Sequence, residues 1–113
     1  MSEIADNRTI CYRLQTAEGK TGVTLTPSNR RFYLRLVEYA DRNRELTENG
    51  EMVCNLSVQQ LSERLRTPIR TTTKYLNLLT DCGAIIRIAP KNKNVFPPLP
   101  KQTILPREFW QKG

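Results

Sequence analysis

Apolar residues recur in this chain with two different periods, and each period selects an element. Phe32, Tyr33, Leu36, Val37 and Ala40 follow one another at three- and four-residue intervals. That spacing predicts a helix over 27–44, with one apolar stripe and a charged opposite face. Thr26 and Pro27 mark its start, because the hydroxyl can accept from an orphan amide and proline at the first helical position gives up no needed donor. Val58, Leu61 and Leu65 repeat the helical period over 58–65. Ser57 and Gln60 before them form a capping box, with Leu56 and Leu61 placed as a hydrophobic staple. Only Arg66 and Thr67 intervene before Thr67-Pro68 repeats the start signal. Ile69, Thr72, Leu76 and Leu79 then mark the buried face of a helix over 68–82, and Gly83 supplies its left-handed stop.

The remaining segments read as strands and turns. Residues 9–15 (TICYRLQ) alternate weakly, run into Gly19 and Gly22, and return at Val23-Thr24-Leu25, so 1–25 is expected to be an arm or a β-hairpin. Leu46–Glu51 reads as a loop around Asn49-Gly50, and 52–56 as a short strand. Ala84–Ile88 is a strand by its β-branched content, followed by the polar, basic loop Pro90-Lys91-Asn92-Lys93-Asn94. Pro97, Pro98 and Pro100 cannot donate to a ladder, which favours Gln102–Leu105 as the returning strand, with Val95-Phe96 as the alternative.

The resulting order is helix, short strand, helix, tight turn, helix, strand, basic loop, strand. On the strength of LSVQQLSERLRTPIRTTTKYLNLLTDCGAIIRI, residues 56–88, the chain resembles the winged helix-turn-helix superfamily. The stretch ENGEMVCNLS ahead of the motif also looks like the initiator domains of plasmid and phage replication proteins. The resemblance implies an α+β fold with a three-helix core and a small antiparallel wing sheet over 26–105, leaving 106–113 as a tail. It further implies that helix 68–82 lies in the major groove of duplex DNA and that a wing over 89–101 touches flanking backbone or the minor groove.

Residue chemistry is consistent with that placement. If the apolar stripe of helix 68–82 faces inward, a turn of about 100° per residue sends Arg70, Thr71, Lys74 and Asn77 outward. Arg70 can bind guanine bidentately, Asn77 can pair with adenine and Thr71 can meet a thymine methyl, so these three are the expected base readers. Arg66, Thr67, Lys74, Lys91 and Lys93 are the expected backbone contacts, Thr67 beside the free amides of a helix start that suit a phosphate.

Charge adds to the picture through its distribution. The net charge of +7 lies wholly beyond residue 52, where ten basic residues face three acidic ones; the preceding stretches 1–26 and 27–52 each balance to zero. From Arg64 to Asn94 there are seven bases and one acid, Asp81. A surface built to meet a polyanion has that imbalance, since each neutralised phosphate releases counterions.

Other features exclude more than they assign. The chain has no histidine, which removes the usual general base near neutral pH and the commonest metal ligand. Neither paired carboxylates nor a phosphate-cradling glycine loop is visible, so no enzyme, metal or cofactor is expected. Cys11, Cys54 and Cys82 are widely spaced and odd in number, as expected of small buried hydrophobes in a reducing compartment. With 113 residues, 38% hydrophobic content and no long apolar run, a single cytoplasmic domain without a membrane span is expected. The opening MSEIADNRTI does not read as a secretory signal.

The function expected is that of a sequence-specific duplex-DNA-binding protein acting as a transcriptional regulator. The alternatives are a plasmid or phage replication or maintenance factor, and a winged helix used only for protein contact. A single module covers about 600–1,000 Å² on DNA, which makes a homodimer on a two-fold site an attractive assembly. Tyr75 and Leu78, at the margins of the stripe, serve either as core edge or as its contact. Phe109 and Trp110 either cap the core or dock on a protein partner.

Overall fold

The computed structural model describes residues 3–89 and 101–112. They form an α+β fold of five helices and a four-stranded antiparallel sheet. The first segment departs from the expected arm or hairpin. Residues Asn7–Thr21 are a helix, α1, capped by Asp6, whose side chain accepts from the Thr9 amide, and stopped by Gly22 at φ 77°. Ile10, Leu14 and Ala17 bury one side of it. The i, i+4, i+7 spacing of these three residues gives the helix an apolar face to bury and outweighs the weak alternation in TICYRLQ.

Helix α2 (Pro27–Asn43) starts at the Thr26 cap as expected, and its stripe Phe32, Tyr33, Leu36, Val37 and Ala40 is buried. The expected loop after it contains a short strand, β1 (Glu45–Leu46), which pairs through the Thr47–Gly50 turn with β2 (Met52–Cys54). Helix α3 (Val58–Arg64) carries the complete Ser57–Gln60 capping box. Helix α4 (Ile69–Asp81) follows four residues later and closes with Gly83 at φ 85°. There the Ala84 amide donates to the Leu79 carbonyl and the Gly83 amide to that of Thr80, the paired bonds of a Schellman motif.

Strands β3 (Ile86–Ile88) and β4 (Gln102–Leu105) complete the sheet in the order β1-β2-β4-β3. The returning strand is therefore Gln102–Leu105; the alternative Val95-Phe96 lies outside the described residues, as does most of the 89–101 wing. Thr103 of β4 stands between Cys54 of β2 and Arg87 of β3, fixing the register.

A last turn, α5 (Arg107–Trp110), packs on α1. Phe109 and Trp110 are buried, and the Trp110 indole Nε1 donates to the Leu105 carbonyl at 2.7 Å. The Ala5 amide donates to the Trp110 carbonyl, the Lys112 amide to that of Glu3, and Arg13 Nη1 to that of Gln111. The expected partition into arm, domain and tail gives way to one continuous core running from Ala5 to Trp110. Burial of both aromatics also removes them as a docking surface for a protein partner. Tyr75 and Leu78 pack partly buried against that same core, the Tyr75 ring 5.4 Å from Phe32, which places them at its edge. No helix among the described residues is long and apolar enough to cross a membrane.

Candidate nucleic-acid interface

Helix α4 has two chemically distinct faces. Thr72, Leu76 and Leu79 are buried, whereas Arg70, Thr73, Lys74 and Asn77 are exposed and Thr71 is half-buried. The helix therefore presents together the four side chains expected to turn outward. Thr73 joins them, although its hydroxyl donates to the Ile69 carbonyl in its own helix at 2.9 Å. Ile69 itself was expected inside and is 49% exposed. It sits at the first position, before α4 has turned fully onto α3, so the apolar stripe begins at Thr72.

The turn entering α4 is the most constrained part of this face. Arg66 has φ 50°, a left-handed conformation that costs a residue bearing a Cβ about 1–2 kcal/mol. Its side chain is exposed. Thr67 behaves differently from expectation. It does not cap α4, whose N-cap is Pro68 with no side-chain bond to the helix. Thr67 is buried, its hydroxyl donates to the Leu65 carbonyl at 3.0 Å, and its own carbonyl accepts from Ser62 and Thr72 hydroxyls. Proline after it forces an extended conformation that turns the Thr67 side chain inward, so Thr67 braces the turn and is withdrawn as a phosphate contact.

The cations on and beside this face stand without ion pairs among the described residues. Among the described residues the ion pairs are Arg30–Glu18 at 3.1 Å and Arg44–Asp41 at 3.3 Å, and neither touches α3 or α4. Arg64, Arg66, Arg70 and Lys74 are thus exposed cations without a carboxylate partner among the described residues. Arg87 leaves the group. It shares a cross-strand row with the buried Cys54 and Thr103, and burial pulls its guanidinium below the ordinary arginine range. Lys91 and Lys93 lie outside the described residues.

Sequence reasoning passed over a second set of cations. Arg35 and Arg42 of α2 are exposed and line a hollow of about 190 Å³ together with Arg64 and Arg66. From the sequence alone Arg30, Arg31 and Arg35 are able either to reach phosphates or to pair with Glu38, and nothing singles out Arg42. The spacing Arg35, Glu38, Arg42 already places all three on one helix face; that this face meets the α3–α4 turn depends on tertiary packing.

Nothing in the described residues gathers three or more possible metal ligands. The cysteines are free; Cys54 and Cys82 are buried, and burial pushes the Cys54 thiol up to about 11. Compared with known proteins, the chain matches no family model, no curated protein and no solved structure.

Proposed function

We propose that this chain is a winged helix-turn-helix protein that binds duplex DNA in a sequence-dependent way, with α4 as the recognition helix and a regulatory role exerted by occupying its site. The observation that carries the reading is the outer face of α4: Arg70, Lys74 and Asn77 exposed together, the cations without an ion pair among the described residues, opposite a buried face of Thr72, Leu76 and Leu79. A merely solvated helix face intermixes acids with its bases, whereas this one carries none before Asp81 at its last turn.

Topology supports the same reading. A β1–β2 hairpin between the first and second helices of the unit joins the two strands that follow α4, giving the order β1-β2-β4-β3 beside a helix pair joined by a four-residue turn. In this reading α1 and α5 are additions that thicken the core on the side formed by the chain ends. Arg70, Thr71 and Asn77 address base edges, while Arg66 and Lys74, with Lys91 and Lys93 from the wing, address phosphates.

Selection of bound duplexes from a random pool, followed by titration of the winner at several salt concentrations, tests this function. Enrichment of one motif and an affinity that falls steeply with salt support it. Salt-dependent binding without enrichment would leave only a non-specific binder, and absence of binding would favour the protein-contact alternative.

A further inference from the structure

Between α2 and the end of α3 the surface dips into a hollow of about 190 Å³, and four of its seven lining residues are arginines. Arg35 and Arg42 come from one face of α2, Arg64 and Arg66 from the end of α3 and the turn beyond it, and a single acid, Glu38, stands among them. Tyr39 and Leu65 complete the lining. Like charges held this close repel, and among the described residues no ion pair relieves any of the four guanidiniums.

Two features pre-arrange these groups. Arg35 donates from Nη1 to the Leu65 carbonyl at 2.8 Å and from Nη2 to the Thr67 hydroxyl at 3.4 Å, which fixes the plane of its fork. Arg66 holds its place in a left-handed conformation where glycine would be unstrained. Guanidinium forks match phosphate oxygens bidentately, and several of them around a shallow cup neutralise an anion that a single side chain would hold weakly.

We propose that this hollow is a phosphate-binding site for the DNA backbone flanking the base-reading helix, with Arg42 and Arg64 as its principal donors and Arg35 as their positioned neighbour. The inference rests on the duplex-binding reading and extends it from α4 to α2. Arg66 links the two: it lies in the turn that enters α4, four residues before Arg70, and also lines the cup.

The test uses the full chain, a duplex selected from a random pool, and the variants Arg42→Gln with Arg64→Gln, and Arg70→Ala separately, each checked for unchanged circular dichroism. Both arginines in the double variant are exposed, so folding is expected to survive. Each lost phosphate contact lowers the slope of log affinity against log salt by about 0.9. The expected result is therefore a slope shallower by about two in the double variant with the preferred motif unchanged. An unaltered slope in the double variant, with Arg70→Ala still impaired, would overturn the hollow and leave the α4 reading intact. Failure of the unaltered protein to bind any duplex would overturn both.

Discussion

Arg35 and Leu65, thirty residues apart, are joined by a 2.8 Å bond from the Arg35 guanidinium to the Leu65 carbonyl. Through it, α2 holds the residue at which α3 ends and the turn into α4 begins. Replacing Arg35 with alanine leaves that carbonyl its bond from the Thr67 hydroxyl. The loss is therefore that of the partly exposed charged hydrogen bond to Leu65 and the long one, 3.4 Å, to the Thr67 hydroxyl, together about 1–2 kcal/mol in urea unfolding. Lysine should recover only part of it, since it lacks the planar fork. Unchanged stability in the alanine variant would mean that the turn holds itself.

Arg66 offers an opposite trade. Arg66→Gly removes the strain of φ 50° but adds freedom to the unfolded chain, so stability should rise by up to about 1 kcal/mol. Affinity for duplex should fall across all sequences, because a backbone contact is lost. Paired urea and anisotropy titrations check both signs; a stability loss would show that the arginine side chain braces the turn.

The contacts between α1 and α5 can be weighed directly. Leu14 is fully buried and Trp110 is 3% exposed, so Leu14→Ala should cost about 2–5 kcal/mol and Trp110→Ala about 3–5 kcal/mol. Against a typical total of about 5–15 kcal/mol, either change should lower the melting temperature sharply. A flexible arm or a partner-docking tail would tolerate both substitutions.

Much of the helical framework was readable from residue order, and the failures have specific causes. The Ser57–Gln60 box, the Thr26-Pro27 start, the stripe from Phe32 to Ala40 and the Gly83 stop are local signals, and each appears where those residues stand. Helix α1 was misread because Gly19 and Gly22 suggested a turn. Gly19 lies inside the helix and only Gly22 ends it, while Asp6 and the Ile10, Leu14, Ala17 spacing held the correct signal. Thr67 was misread because a cap-plus-proline pair looks the same whether the threonine faces the helix or the core. The arginine hollow needed two helices to meet, which no one-dimensional spacing reports.

Thiol chemistry follows from burial. Cys54 is shielded and pushed up to about 11, so at pH 8 only roughly one in a thousand of its thiols is ionised, and Cys82 is raised in the same sense. Cys11, half-buried on α1, should consume an aromatic disulfide reagent first, with the other two reacting only on unfolding or as pH climbs toward 11. Three equal rates in the native protein would contradict the packing of β2 and the α4 end.

The face of α4 can be read residue by residue. Arg70→Ala should cost about 1–3 kcal/mol on the selected site and relax preference at one base pair. Equal losses on every sequence would move Arg70 from base edges to the backbone.

Amide shift mapping of the isotopically labelled chain during titration with its selected duplex addresses the orientation of α4 most directly. The largest changes should run from Arg66 to Asn77, with α1 and α5 nearly still. Changes centred on α1 and α5, with α4 silent, would contradict it.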